Sequence, residues 1–499
     1  MTVMQLVRHN VLRPSDLDDH FLIDAKKRNY TTQYANLYFL RLAILKPVVL
    51  NNAEVRWSGL TLHDGRSAAH TPRVLDVQQG ELTWLVGTLY MEMPLKPNIL
   101  EDITAEHWLA AAVPKQTWRD PRRDSIQLED ESGRVQLIGA KLLEEILCTG
   151  IVVGVLGSET SSGEFEVIDI VHADLPPGRQ ISAQEDVEMT DATPGIGGSN
   201  ARPNDEYVAI VSGLEISGTD AAPLTLSLLL DFLTGDLLDE PDQQFSSRIS
   251  ALIVAGNSIT STPLPKEDAM SRRLTKNKKY GYDAASYNPR PIVALDDFLA
   301  EISATMQVIV MPGDKDPTNS TMPQQPVHKV MLKDTRKFDG VTLKRATNPT
   351  YLDMAGKMFL GCSGQTVDDI AHYIATDPVD QDVMADSQAG DAYEDVDVLA
   401  IMESCLRWRH MAPTAPDTLW TYPYSDQDPF IMKTLPDVYF LGNQAKFDDR
   451  LVEHTTRDEQ GEQTSRCRLI TVPKFIQTGE LVLVNLRTLE VELITFEGC

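Results

Sequence analysis

The stretch VIVMPGDKDPT, residues 308–318, carries the reading of the fold. A β-branched run closes on Pro312-Gly313, and the cluster Asp314-Lys315-Asp316 follows. A short apolar run bounded by turn residues reads as a buried strand. Three further runs share the design: YVAIVSGLEI (207–216), ALIVAGNSI (251–259) and DVYFLGN (437–443). Each is apolar and ends on a glycine or a polar turn. Helical patterns lie between them, at Leu224–Leu233 and Leu295–Ser303. Strands alternating with helices predict a layered α/β domain, here over 207–499. Two long polar stretches interrupt it and are expected to loop out of the core. One is 262–290, with the basic run RRLTKNKK (272–279). The other is 375–398, with the acidic DAYEDVDV. The last stretch, RLITVPKFIQTGELVLVNLRTLEVELITF, reads as a run of strands.

Upstream the texture is different. Residues 1–55 form an N-terminal segment with a helix from Tyr34 to Leu45, which Pro47 is expected to end. From 56 to 180 the pattern is β. In ELTWLVGTLYMEM, Trp84, Val86, Thr88 and Tyr90 share one face while Leu85, Leu89 and Met91 share the other. DSIQLEDESGRVQLIG and GIVVGVLGSETSSGEFEVIDIVHA each read as two strands around a turn. About five strands, with a helix from Thr104 to Ala112, predict a small closed barrel of the OB type. Residues 181–206 are acidic and Gly-rich and are expected to be a disordered linker. The fold class is therefore α/β plus β.

The chain has 73 acidic against 45 basic side chains, a net charge of -28. Such a surface repels phosphate, so a nucleic-acid grip is disfavoured, and basic or neutral protein partners are favoured. Five scattered cysteines make no C-x-x-C pair, which argues against a zinc ribbon or redox motif and for reduced thiols. No apolar stretch approaches the roughly 20 residues of a membrane helix. The start, MTVMQLVRHNVLRPSD, lacks the apolar core of a secretory signal.

In open α/β sheets, ligands sit beyond the carboxyl ends of strands. A two-metal phosphoesterase places there an Asp-x-His, a Gly-Asp-x-x-Asp, a Gly-Asn-His-Asp, a lone His and a Gly-His-x-His. Its two cations, about 3.5–4 Å apart, need several carboxylates and imidazoles. This chain has the strands and glycines in that order but few of the ligands. Gly213-Leu214-Glu215 follows the first strand, and Gly256-Asn257-Ser258-Ile259-Thr260 the second. Asp314, Lys315 and Asp316 follow the third, and Gly442-Asn443-Gln444-Ala445 the fourth. His410, in LRWRHMAPTAPD, is the one imidazole in a plausible place. Gly213, Glu215, Asn257, Thr260, Asp314, Lys315, Asp316, His410, Asn443 and Ala445 therefore mark a degenerate former metal site, with no catalytic or metal-ligating set. Lys315 is expected to pair with Asp314, Asp316 or Glu215, an ammonium in place of a metal. His410 is expected to fix its own turn by hydrogen bonds, and Trp408 and Trp420 to pack.

VIVMPGDKDPTNSTMPQQPVH (308–328), FLGCSGQTVDDI (359–370), LRWRHMAPTAPDTLWTYPYSDQDPFI (406–431) and DVYFLGNQAKF (437–447) resemble the small, or B, subunits of replicative DNA polymerase delta. The resemblance covers nearly the whole chain apart from the linker and the two insertions. It implies an OB barrel followed by a calcineurin-like phosphoesterase domain. The family is similar to the small subunits of archaeal D-family polymerases, which keep the metal ligands and are 3′–5′ exonucleases. Eukaryotic members have lost the ligands and act as scaffolds in DNA replication and repair. The resemblance implies three direct or indirect partners: the Cys-rich C-terminal domain of the catalytic subunit, the third, clamp-binding subunit, and through it the sliding clamp. In fungi and animals it adds the polymerase zeta catalytic subunit. It implies a nuclear location and no cofactor in this chain, with zinc and an iron-sulfur cluster carried by the catalytic partner's domain.

Two other readings stand beside this one. An active phosphoesterase could use Glu215, Asp314, Asp316 and His410. A single-strand DNA module could stack bases on Trp84, Tyr90, Trp108 and Trp118, although the same aromatics suit a barrel core.

Overall fold

The computed structural model describes the chain apart from residues 1–7, 27, 62–64, 66, 98–116, 121, 180–204, 220–222, 237, 261–287, 375–395, 459–460 and 498–499. The expected helix at 104–112, the basic run 272–279 and almost all of the linker and insertions lie outside the described residues. The linker's last residues are described, and Asp205 accepts from Arg487 Nη2 at 2.6 Å.

The chain begins with a short strand β1 (Leu12–Arg13) and a long helix α1 (Ala35–Trp57). Pro47 does not end that helix, contrary to the sequence expectation; it lies inside it. Val49, Ala53 and Trp57 continue the buried stripe from Leu45 past it, and packing on the barrel outweighs the lost backbone hydrogen bond.

The barrel comprises β2 (Ala69–His70), β3 (Thr83–Glu92), β4 (Ser125–Glu129), β5 (Arg134–Ile138), a one-turn helix α2 (Lys141–Glu144), β6 (Val152–Glu159) and β7 (Phe165–Val171). Strand order β3-β4-β5-β7-β6 closes through a β3–β6 pairing. The β5–β7 pair is parallel and the other four are antiparallel. The two faces of β3 separate as its alternation predicts. Leu85, Leu89 and Met91 fill the barrel, while Trp84 and Val86 meet α1.

The second domain stacks two six-stranded sheets. The first contains β8 (Tyr207–Val211), β9 (Ile249–Ala255), β10 (Gln307–Met311) and β11 (Leu343–Arg345), all parallel. The other holds β12 (Thr350–Met354), β13 (Lys357–Cys362), β14 (Val438–Gln444), β15 (Asp448–Asp458) and β16 (Gly461–Pro473), with β1 at its edge. Antiparallel β17 (Glu480–Asn485) and β18 (Val491–Thr495) complete the first sheet beside β8. Helices are α3 (Leu224–Thr234), α4 (Glu240–Ser246), α5 (Arg290–Ser303), α6 (Gln365–Ala371), α7 (Val398–Trp408) and α8 (Phe475–Thr478). The helix expected from Leu295 thus starts five residues earlier, with Pro291 in its first turn, where its missing N–H costs nothing. A one-turn helix, α8, interrupts the C-terminal run of strands.

Side-chain alternation distributes the core. Val208 and Ile210 meet Phe440, Ile470 and Val472 between the sheets. Ala209 and Val211 meet Leu229, Leu299 and Ile302 of α3 and α5. Tyr439 and Leu441 meet α7 and, through it, residues of the barrel in one continuous cluster. Layer order is helices, sheet, sheet, then α6 and α7 with the barrel. No helix among the described residues is long and apolar enough to cross a membrane.

Barrel and second domain are also joined by polar contacts. Trp118 N–H donates to His372 O at 2.9 Å, and Leu435 N–H to Pro177 O at 2.9 Å. Arg41 of α1 is fully buried and pairs with Asp428 at 3.0 Å. Its guanidinium also reaches the carbonyls of Gly150, Pro413 and Ala415.

Candidate functional site

The strand ends of both sheets meet. Gly213 N–H donates to Gly256 O at 3.0 Å, after β8 and β9. Asn443 N–H, on β14, donates to Ser212 Oγ at 2.8 Å, and its Nδ2 to Ser363 O at 2.7 Å beyond β13. Gly313 sits so close to the β9 turn that a Cβ there would lie 2.4 Å from Asn257 N. Glu215, Asn257 and Asn443 all have left-handed backbone, at φ 45°, 52° and 60°. Such a conformation is uncommon outside glycine, least so for Asn, and is held at a cost of about 1–3 kcal/mol. Three instances at adjoining strand ends mark turns whose shape the surrounding fold imposes.

The side chains on these turns do not gather as ligands. Asp316 folds back into its own corner. One carboxylate oxygen accepts from Gly313 N–H at 2.8 Å, the other from Ser258 N–H at 2.9 Å and Ile259 N–H at 3.2 Å. Burial nevertheless pushes its carboxyl up to about 6. Lys315 Nζ lies 2.6 Å from Glu215 Oε1, so the expected ammonium–carboxylate pair is formed, and with Glu215 among the three candidates. Its backbone N–H donates to Asn257 Oδ1 at 3.0 Å. The lysine is 42% exposed, which puts the pair at the rim of the corner. Asp314 and Ala445 are exposed, and Thr260 N–H donates to Ile216 O at 3.2 Å.

His410 keeps other company. Its Nε2 lies 2.9 Å from Asp428 Oδ2, and its Nδ1 accepts from Ala412 N–H at 3.2 Å. That arrangement makes it a neutral Nε2–H tautomer. It fixes its turn as expected, and it also belongs to the buried Arg41–Asp428 junction beneath α1. Burial and the Arg41 cation pull its imidazole down to about 4. Burial alone would raise the Asp428 carboxyl, but His410 and Arg41 hold it well below the carboxylate range.

Neutral polar groups fill the strand-end corner instead. Asn348 Nδ2 lies 2.6 Å from Ser363 Oγ, 2.8 Å from Gln324 Oε1 and 2.9 Å from Gln365 Oε1. Gln365 Nε2 reaches Gln324 Oε1 at 3.1 Å, and Gln324 Nε2 reaches Gly313 O at 3.1 Å. Sequence reading missed these four residues. Their signal was faint: uncharged polar residues just beyond buried strands, or in the loop after Gly313. Amides and hydroxyls lack the charge to hold paired divalent cations. Among the described residues, no three His, Cys, Asp or Glu side chains form a group that could hold a metal ion.

The barrel aromatics are engaged internally. Trp84 lies between Trp57, 5.9 Å away, and His70, 4.3 Å away. Trp118 stacks on His372 at 4.6 Å, at the junction with the second domain. Tyr90 lies under Lys96 and Arg134. Trp108 is outside the described residues. Trp408 is buried as expected, whereas Trp420 is 50% exposed.

Comparison with known proteins places this architecture. Residues 33–170 match the family model for the OB-fold domain of DNA polymerase delta subunits, and residues 208–449 match that for the B subunits of DNA polymerases alpha and epsilon. The chain is 36% identical over 484 residues to the DNA polymerase delta small subunit of Arabidopsis thaliana, covering 97% of this chain and 95% of that one. This chain belongs to the DNA polymerase delta small-subunit family. The Saccharomyces cerevisiae member is 32% identical, covering 99% of this chain and 95% of that one. More distantly, the DNA polymerase II small subunit of Archaeoglobus fulgidus is 21% identical over 64% of this chain and 55% of its own length. The OB-fold match of the delta small-subunit family takes in α1, in agreement with the packing of that helix on the barrel.

Proposed function

We propose that this chain is a non-catalytic accessory subunit of DNA polymerase delta. It holds the Cys-rich C-terminal domain of the catalytic subunit and the third, clamp-binding subunit, and through the latter the sliding clamp, during DNA replication and repair in the nucleus. The observation that carries the reading is the strand-end corner. The parallel strands end on strained turns, where a Lys315–Glu215 pair stands at two of the expected ligand positions and the Asn348–Gln324–Ser363–Gln365 network fills the corner between them. A fold kept without its chemistry serves rigidity, which suits a chain whose two domains share one core cluster and a buried ion pair. The subunit itself carries no cofactor in this reading; zinc and an iron-sulfur cluster belong to the catalytic partner's domain. The polymerase zeta catalytic subunit is a further partner.

Co-expression with a polymerase delta catalytic C-terminal domain tests the proposal. A stoichiometric complex stable through gel filtration is expected, and reproducible failure to co-purify overturns it. Mn²⁺-dependent hydrolysis of a generic phosphodiester, measured for wild type and His410→Ala, is expected to stay at background for both.

A further inference from the structure

The chain is acidic overall, yet one exposed stretch is not. Between His328 and Arg345 there are six Lys or Arg against two Asp. Lys344 pairs with Asp18 at 2.8 Å and Arg345 with Asp339 at 2.9 Å. The other four, Lys329, Lys333, Arg336 and Lys337, are exposed and have no carboxylate partner among the described residues. In a molecule with a large acid excess, four neighbouring cations left without a counterion are unusual. Such potentials attract a partner of opposite sign.

The stretch is also built to hold its shape. Leu332 is buried in the core beneath it. The buried carboxylate of Asp296, on α5, accepts from the backbone N–H groups of Lys333, Asp334 and Thr335 at 2.6, 2.7 and 3.0 Å, and from Thr335 Oγ1 at 2.6 Å. That anchor presents the cations on a fixed frame, which lowers the ordering cost of binding. Val330 and Val341 lie in the same stretch and are 65% and 72% exposed. Apolar side chains among cations fit a ligand with both kinds of group. A bare phosphate backbone uses only the charge, and duplex DNA would carry its phosphates over the acidic remainder of the surface.

We propose that residues 328–341 form a docking surface for an acidic peptide segment of a partner protein, one that alternates carboxylates with apolar residues. The carboxylates pair with Lys329, Lys333, Arg336 and Lys337, and the apolar residues cover Val330 and Val341. The surface shares no residue with the amide-filled corner.

The test uses the full chain and a fluorescent peptide of Glu, Asp and Leu, read by anisotropy at two salt concentrations. Saturable binding that weakens with salt is expected. Lys329→Glu/Lys333→Glu/Arg336→Glu/Lys337→Glu, shown by thermal melting to be folded, should bind at least about tenfold more weakly. Val330→Ser/Val341→Ser should weaken this peptide but not a poly-glutamate of equal length. Equal binding by wild type and the charge-reversed variant overturns the proposal, as does no binding by wild type. Tighter binding of a labelled DNA duplex, lost in the charge-reversed variant, also overturns it in favour of nucleic acid.

Discussion

Asp428 receives a proton donor from each side: Arg41 from the N-terminal helix and His410 from eighteen residues before it. All three side chains are buried, so removing one strands the charge of another. Asp428→Asn should destabilise the chain by about 3–5 kcal/mol in urea unfolding. His410 adds a pH dependence. Its folded pKa, about 4, is below the ordinary value near 6.5, so between those values the unfolded chain binds more protons. This contribution is present in full above pH about 6.5 and is lost as pH falls toward about 4. Asp316 works in the opposite sense. Its folded pKa near 6 is raised, so its contribution falls as pH rises from about 4 to about 6. The difference between wild type and His410→Gln across pH 4–7 isolates the histidine, and wild-type stability should gain on the variant as pH rises. Lys315→Ala should cost under about 1 kcal/mol, because its pair with Glu215 is partly exposed. The scarcity of metal-ligating residue types at 213–215, 257–260, 314–316 and 443–445 was legible in the sequence. The network of Gln324, Asn348, Ser363 and Gln365 was not, because amides and hydroxyls have no spacing signature.

At the level of elements, short apolar runs with glycine ends were legible as strands because parallel strands buried on both faces need continuous apolar sequence. Boundaries were less so. Pro47 reads locally as a stop, yet α1 passes through it because Val49, Ala53 and Trp57 have a barrel face to cover. Pro47→Ala should restore a helical hydrogen bond at an exposed position and raise the melting temperature. The junction between α1 and the loop after α7 is tight at Gly150. There φ is 91°, and an added Cβ would lie 2.0 Å from Pro413 O. Gly150→Ala should therefore cost more than about 1 kcal/mol and increase proteolytic cleavage at the junction. Residues 41, 150 and 413 gave no joint signal, since nothing local to each announces that they touch.

For the whole molecule, composition spoke to partners and topology to rigidity. Barrel and sheets share one core cluster, so denaturation should be a single transition, with coincident midpoints for Trp fluorescence and far-UV circular dichroism. Two separated transitions would refute the idea of a continuous core. The sequence by itself determined the domain order, the strand-rich barrel and the layered α/β domain. Those depend on periodicity and residue type, which are local. Only the tertiary structure decided that His410 serves the Arg41–Asp428 junction, that Trp84 and Trp118 are internal, and that neutral amides fill the corner. Those depend on which distant residues come into contact, and the burial and hydrogen-bond partners that define them exist only once the chain has folded.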